Sequence, residues 1–273
     1  MLSPNIFNTI LVFPILNILL FFHQIFLFIK LPGAFGLAIV ALTVLVRLVL
    51  HPFFKKQLET SKKMQDLKPH LDRLSSKHKN DKKKIQEEQM RLFKEAGINP
   101  ASGCLFMIIQ IPVFIALYNT LSLFLTNGNM TKVIGEINKV VYSPLLRIQT
   151  IDPWFFGFNL AVAPNKAGVW YYYLIPLITA VLQYFQTVTM TPPVAASAIE
   201  EKKTDSVNES NKKTESVKKG GGDDFQKAMN TQMKFIFPLM IGWFSYTLPV
   251  GLSLYWNIFS IFSIIQYKKM KSS

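Results

Sequence analysis

The sequence predicts an all-α membrane protein with five transmembrane helices, a cytoplasmic helical hairpin and an N-terminal interfacial helix. Half of the 273 residues are hydrophobic, yet the formal net charge is +14, and the charges are confined to blocks. Asp, Glu, Lys and Arg are missing from five long runs: 2–29, 31–46, 96–131, 167–199 and 235–267. Because hydrocarbon about 30 Å thick needs roughly 20 residues of helix, such runs indicate helices that cross a bilayer.

The basic residues assign the sides of the membrane. Segment 55–95 holds thirteen Lys and Arg and segment 191–234 holds eight, whereas 126–166 holds four. An excess of Lys and Arg marks the cytoplasmic side, so 126–166 is predicted to lie outside. The predicted segments are an N-terminal helix (1–32), transmembrane helix 1 (33–54), a cytoplasmic hairpin (55–97), transmembrane helix 2 (98–126), an extracytoplasmic loop (127–167), transmembrane helix 3 (168–190), a partly disordered cytoplasmic linker (191–233), short transmembrane helices 4 (234–249) and 5 (250–267), and a basic cytoplasmic tail (268–273).

The first apolar segment, 6–29, has two interpretations. Polar residues such as Asn8, Asn17 and Gln24 interrupt it, which favours a helix lying in the membrane interface. Its length also permits a span. It lacks the positive start and the small-residue cleavage site of a signal peptide, so we expect it to be retained.

The last charge-free run, 235–267, connects two segments that are both assigned to the cytoplasm. The chain must therefore leave and return, and Pro249 and Gly251 mark the turn. Each helix would have roughly 15 residues and a length of about 22 Å, short enough to require a thinned bilayer or a water-filled cavity. A single long tilted helix, which would place the final lysines outside, is the alternative.

The basic segment 55–97 is predicted to be a pair of helices. Met64, Leu67, Leu71 and Leu74 have the 3,4,3 spacing of a coiled-coil stripe, and Asn80 and Asp81 offer a turn. The residues expected to face back across that turn are Ile85, Gln89, Leu92 and Ala96. The lysines at 82–84 indicate either a solvated face or a surface for anionic lipids, ribosomal RNA or acidic proteins.

Arg47 is a charge within a predicted span. Thr43, Arg47 and His51 recur every fourth residue and would form one polar stripe. None of the sixteen acidic residues falls in a span, so no intramembrane carboxylate can pair with the arginine. The side chain could snorkel toward the cytoplasm. Alternatively, it faces a hydrated groove with Gln110 and polar groups of the later spans.

The composition excludes several chemistries. The single cysteine, Cys104, rules out an internal disulfide and multi-cysteine metal sites. There is no phosphate-binding glycine loop and no HExxH motif. We therefore expect no catalytic residues, no metal and no cofactor. A small-anion or solute transporter that binds its ligand at Arg47 remains the alternative function.

Ordered motifs over most of the chain resemble the YidC/Oxa/Alb family of membrane protein insertases. The matching stretches are GLAI (36–39), LTVLVR (42–47), HP (51–52), SKKMQ (61–65), LKP (67–69), GINP (97–100), GC (103–104), QIPVFIALY (110–118), PVGL (249–252), LYW (254–256) and IIQ (264–266). The compact form is similar to the Gram-positive type without a large outer domain. Phe106 and Ser260 depart from the residues usual in the family.

The resemblance implies a five-span core that receives hydrophilic segments of nascent membrane proteins in a cationic groove and releases their apolar helices into lipid. It implies a bacterial plasma membrane location, with the C-terminus in the cytoplasm. The implied partners are nascent membrane proteins, the Sec translocon, lipids, and the ribosome through the hairpin and the basic tail. The candidate groove residues are Arg47, Thr43, Gln110, Gln183, Tyr255 and Trp256.

Overall fold

The computed structural model describes residues 3–78, 81–98, 102–125, 130–190 and 221–272, except for the side chains of 102–110 and 221–233 and a few isolated positions. Within these ranges the fold is almost entirely helical. The helices are α1 (Phe13–Phe28, preceded by a π-helical turn at Asn8–Val12), α2 (Ala34–Val49), α3 (His51–Lys77), α4 (Lys82–Glu95), α5 (Ser102–Leu125), α6 (Met130–Val140), α7 (Leu174–Met190), α8 (Gly221–Thr247) and α9 (Val250–Ser272). Strands β1 (Trp154–Phe155) and β2 (Phe158–Asn159) form an antiparallel hairpin.

The chain forms two compact units. One unit comprises 1–51, 108–186 and 238–273, and the other comprises 52–107 and 187–237. The second unit contains α3 and α4, whose contact is built on four buried residues, Met64, Leu71, Phe93 and Ile98. Leu67, Leu92 and Ala96 pack around this cluster. The apolar spacing thus predicts much of the packed face, although Phe93 and Ile98 were not among the predicted residues.

Capping explains the ends of α4. The Asp81 carboxylate accepts a hydrogen bond from the Lys84 backbone N–H, which satisfies one of the free donors of the first helical turn. Gly97 follows the helix with φ of +63°, a left-handed conformation that suits glycine. The turn residue Asn80 lies outside the described residues.

The helix predicted over 33–54 is interrupted. Helix α2 ends at Val49 and α3 begins at His51, with Leu50 between them. The cause lies in Pro52, which lacks a backbone N–H and restricts the residue before it. His51 therefore does not continue the helical stripe of Thr43 and Arg47, and the prediction of one stripe down a single helix is wrong at its last member.

Two described helices are long and apolar enough to cross a membrane: Asn8–Phe28 and Val250–Lys269. A third candidate appears if α2 and α3 are counted together as one broken span. By length and composition, the segment predicted to lie in the interface therefore also qualifies as a span. Both interpretations of 6–29 remain predictions.

Helix α7 has its polarity reversed relative to a helix of a water-soluble protein. Leu177, Val181 and Phe185 are exposed, whereas Thr179 and Gln183 are buried. Water-soluble folds bury the apolar face, and buried polar groups cost free energy unless they are hydrogen-bonded. An exposed apolar stripe opposite a buried polar one is typical of a helix whose outer face meets lipid.

The chain reverses direction between α8 and α9. The Ser245 and Ser253 hydroxyl oxygens lie 2.8 Å apart, although eight residues of continuous helix would span about 12 Å. The backbone N–H groups of Val250 and Gly251 donate to the carbonyls of Val162 and Leu160, which supplies partners for the first turn of α9. The alternative of one continuous tilted helix does not match this geometry.

The lengths of α8 and α9 differ from the prediction of about 15 residues each. Helix α8 begins at Gly221 rather than at 234, and α9 continues to Ser272 rather than ending at 267. Charge-free length measures only the apolar part of a helix, and a helix can continue into polar residues that hydrogen-bond along its axis. Of the predicted partly disordered linker 191–233, residues 191–220 lie outside the described residues, whereas 221–233 belong to α8, so the prediction of a linker without a helix is wrong there.

The polar residues of α1 hold the segment that follows α6. The Asn17 side-chain N–H donates to the Val140 carbonyl at 3.2 Å, and its oxygen accepts from the Tyr142 backbone N–H at 2.6 Å. About two turns later, the Gln24 side-chain N–H donates to the Arg147 carbonyl at 3.0 Å. The side-chain amides of Asn17 and Gln24, which interrupt the apolar run, therefore hydrogen-bond to the predicted extracytoplasmic loop and its preceding helix.

Replacing Asn17 by alanine is expected to destabilise the protein by about 1–3 kcal/mol, because it leaves a backbone donor and a backbone acceptor near α1 without their partner. Thermal unfolding of the detergent-solubilised chain measures the effect. Gln24→Ala is the matched control, since that side chain makes one hydrogen bond at an exposed site. Equal effects of the two substitutions would contradict a special role for Asn17.

Candidate functional site

Arg47 lies on the buried face of α2, where the helix packs between α1 and α9. Its side chain is 1% exposed, the largest of the fully buried side chains. A snorkelling arginine would present its guanidinium to the surface, so the structure does not support that alternative. A charge enclosed in this way needs compensating groups around it.

Phe259 on α9 supplies two of these compensating interactions. The Arg47 Nη2 donates to the Phe259 backbone carbonyl at 2.8 Å, and the guanidinium carbon lies 3.9 Å from the centre of the Phe259 ring. The negative face of an aromatic ring attracts a cation at this distance. A neutral residue thus stabilises the arginine through its carbonyl dipole and its π-system.

Gln266 supplies a third interaction. Its Oε1 accepts from Arg47 Nη1 at 3.4 Å, and its Nε2 lies 3.1 Å from His51 Nδ1. Arg47 and His51 are therefore brought together although the helix breaks between them. They share a partner on α9 and do not rely on a common stripe of α2.

Two other predicted residues lie close to this centre. Thr43, one turn before Arg47, is buried and donates its hydroxyl proton to the Ile39 carbonyl at 2.7 Å. Tyr255 is buried one turn before Phe259, with ring centres 6.0 Å apart. Thr43 is thus buried one turn from Arg47 on α2, and Tyr255 is buried one turn from Phe259 on α9; their role in a groove stays a prediction.

The remaining predicted residues occupy other positions. Trp256 stacks on Phe114 of α5, with ring centres 5.2 Å apart. Gln183 is buried on α7. Gln110 lies within α5, and its side chain is outside the described part of the chain. That these residues line one groove with Arg47 stays a prediction.

Buried hydroxyls join α7 to the α8–α9 pair. Ser245 bonds to Thr179 Oγ1 at 3.1 Å and to Ser253 at 2.8 Å. Further along α9, Ser260 donates to Gln186 Oε1 at 2.6 Å. Such bonds between helices satisfy polar groups that have no water to bind in an apolar surrounding.

Sequence reasoning missed Phe259 and Gln266 as partners of Arg47. A signal for Gln266 is present, since it is the last amide of the charge-free run 235–267 and lies two turns after residue 259 on the same helix face. The Phe259 carbonyl carries no comparable signal, because every residue of a helix has the same backbone groups.

A family model described as the 60Kd inner membrane protein matches residues 26–273. The chain belongs to this family. It is the YidC/Oxa/Alb family whose motifs the sequence carries. The match begins within α1 and covers every helix that contributes to the Arg47 site.

Curated relatives come from chloroplasts and bacteria. An inner membrane ALBINO3-like protein 2 of Chlamydomonas reinhardtii is 32% identical over 249 residues, covering 89% of this chain and 51% of the relative. A membrane protein insertase YidC of Caulobacter vibrioides is 32% identical over 256 residues, covering 91% and 35%. One of Oceanobacillus iheyensis is 28% identical over 278 residues, covering 98% and 85%. The chain thus spans about half or less of the first two relatives and most of the third.

Proposed function

We propose that this chain is a membrane protein insertase and folding chaperone, in which Arg47 receives hydrophilic segments of nascent membrane proteins. The observation that carries the proposal is a buried arginine held by neutral groups, the Phe259 carbonyl and the Gln266 amide. A guanidinium forms charge-assisted hydrogen bonds with carboxylate oxygens, so it can attract an acidic segment. The insertase names of its YidC relatives agree with this function.

In this mechanism no covalent bond changes. A polar or acidic segment enters a groove beside α2 and α9, and the guanidinium compensates its carbonyl or carboxylate oxygens while it lacks water. The apolar part of the same substrate moves into lipid along exposed apolar helix faces such as that of α7. Thr43, Gln110, Gln183, Tyr255 and Trp256 are proposed as further groove residues.

The groove has to open for this to happen. Arg47 is buried against α9 in the described conformation, so a substrate gains access only when a partner of the guanidinium moves. The free-energy cost of opening is modest, because an oxygen of the substrate replaces the partner oxygen that leaves the guanidinium. The positive charge is never without compensation along this path.

The membrane arrangement that fits this function has five spans in a bacterial plasma membrane, with α3, α4 and the C-terminus in the cytoplasm. The excess of Lys and Arg in 55–95 and 191–234 over 126–166 supports this assignment of the cytoplasmic side. The basic hairpin and tail would then face ribosomes, the Sec translocon and anionic lipid. The substrates are nascent membrane proteins with short polar outer segments.

The test is depletion of this protein in its own cell, followed by protease mapping of a single-span reporter with an acidic outer tail. We expect the tail to stay protease-inaccessible from outside after depletion and to become accessible again when the chain is re-expressed. A reporter inserted by an unrelated route serves as the control. Insertion of the acidic-tailed reporter at the undepleted level would overturn the proposal.

A further inference from the structure

Gln266 occupies an unusual position beside Arg47. It lies two helical turns beyond Phe259, so both residues point to the same face of α9 and reach the same guanidinium. Of the two hydrogen bonds, the one to the Phe259 carbonyl is 2.8 Å and the one to Gln266 is 3.4 Å, near the upper limit for such a bond. Gln266 is the weaker partner.

The two partners also differ in what has to move to release them. The Phe259 carbonyl belongs to the backbone of α9, so withdrawing it requires displacement of the helix. The Gln266 amide sits at the end of a flexible side chain and withdraws by rotation about its own bonds. Of these two partners, the Gln266 side chain is therefore the one that withdraws from Arg47 at the lower cost.

The orientation of the amide follows from its neighbours. Arginine can only donate, so the Gln266 oxygen faces Arg47 and the amide nitrogen faces His51. His51 Nδ1 then accepts, which places the proton of its neutral ring on Nε2. His51 thereby orients the glutamine so that a carbonyl oxygen, the same group that a peptide would present, rests on the guanidinium.

We propose that Gln266 is the gate of the Arg47 site, a built-in carboxamide that holds the place of the substrate's carbonyl or carboxylate oxygen until the substrate displaces it. This inference rests on the proposed function and adds the residue that controls access. It makes Gln266 a positioning residue. Its removal should leave Arg47 accessible, and a negative charge at its position should block the site.

The experiment compares variants of the full chain, purified into liposomes that contain anionic lipid, with two single-span reporters whose outer tails are acidic or neutral. Gln266→Glu keeps the shape and places a carboxylate on the guanidinium, so insertion of the acidic-tailed reporter should fall about tenfold. The neutral-tailed reporter should change by less than about twofold, since it depends less on the arginine charge.

Gln266→Met keeps the length of the side chain and removes both hydrogen bonds. If Gln266 is the gate, this variant should insert the acidic-tailed reporter at least as well as the parent, because Arg47 is then accessible. Lys166→Gln is the matched control for Gln266→Glu, because it lowers the net charge by the same one unit at an exposed position of the loop 127–167. It should stay within about twofold of the parent.

Two results would overturn the inference. The first is that Gln266→Glu inserts the acidic-tailed reporter as well as the parent does. The second is a loss in Gln266→Met as large as that in Gln266→Glu, which would indicate that the amide has only a structural role. Thermal unfolding checks that each variant folds, and Gln266→Ala replaces the methionine variant if that one does not. These outcomes are distinct from failure of the proposed function, in which the parent chain itself would insert neither reporter.

Discussion

Replacing Arg47 by glutamate is expected to reduce insertion of an acidic-tailed substrate by about a hundredfold, to background, because the change reverses the only buried side-chain charge in the described spans and leaves an enclosed carboxylate opposite a carbonyl. Repulsion would then face every arriving acidic residue. Arg47→Lys keeps the positive charge, although it loses the planar fork that reaches Phe259 and Gln266 together. We expect this variant to retain roughly a third or more of the insertion. Protease mapping in liposomes gives both values.

The matched control is Arg147→Glu, which makes the same exchange at an exposed loop residue. Its insertion should remain close to that of the parent. Equal and complete loss in Arg47→Glu and Arg47→Lys, in chains that unfold at the same temperature as the parent, would contradict an electrostatic role. It would show that the site depends on the geometry of the guanidinium.

The surroundings of Arg47 show where sequence reasoning reaches its limit. The absence of acidic residues from the predicted spans is visible in the chain, and it predicts that no intramembrane carboxylate pairs with Arg47. From that absence we expected water, hydroxyls and amides to solvate the charge. The shortest contact comes from the Phe259 carbonyl, and a sequence cannot reveal which of many identical backbone groups approaches a given side chain.

The helix break at Leu50 could have been recognised from local chemistry. The spacing of Thr43, Arg47 and His51 fits one helix. Pro52, however, disfavours a helical conformation at the residue before it, and the prediction gave more weight to the spacing. The prediction that His51 accompanies Arg47 nevertheless describes a real proximity, because Gln266 contacts both. Here the pattern identified the right residues for the wrong structural reason.

The region 127–167 shows a limit of another kind. Its low charge predicted its side of the membrane, but its structure depends on contacts that are distant in sequence. The hydrogen bonds from Asn17 to this region, and the contact of α2 with β1, join residues more than 100 positions apart. Hydrophobic periodicity reports a local repeat, so it carries no information about such pairings.

One of these distant pairings yields the second large effect. A methyl group added at Gly36 on α2 would overlap the ring of Phe155 on β1, including its Cγ and Cβ atoms. Rotation of the ring alone cannot remove that overlap, because the Cβ atom is fixed to the backbone of the hairpin. Gly36→Ala is therefore expected to destabilise the protein by about 1–3 kcal/mol through overpacking. Thermal unfolding in detergent measures the loss.

Gly135→Ala is the matched control, since Gly135 also lies in a helix and a methyl group there would meet no atom within 4 Å. That exchange should be neutral or stabilise the protein by up to about 1 kcal/mol. Adding Phe155→Ala to Gly36→Ala should restore part of the lost stability, because the smaller side chain removes the overlap. Additive losses in the double variant would contradict the pairing, since residues in contact are expected to couple by about 0.5–3 kcal/mol. A positive coupling would establish that the β1–β2 hairpin is fixed to the N-terminal end of the helix that carries Arg47.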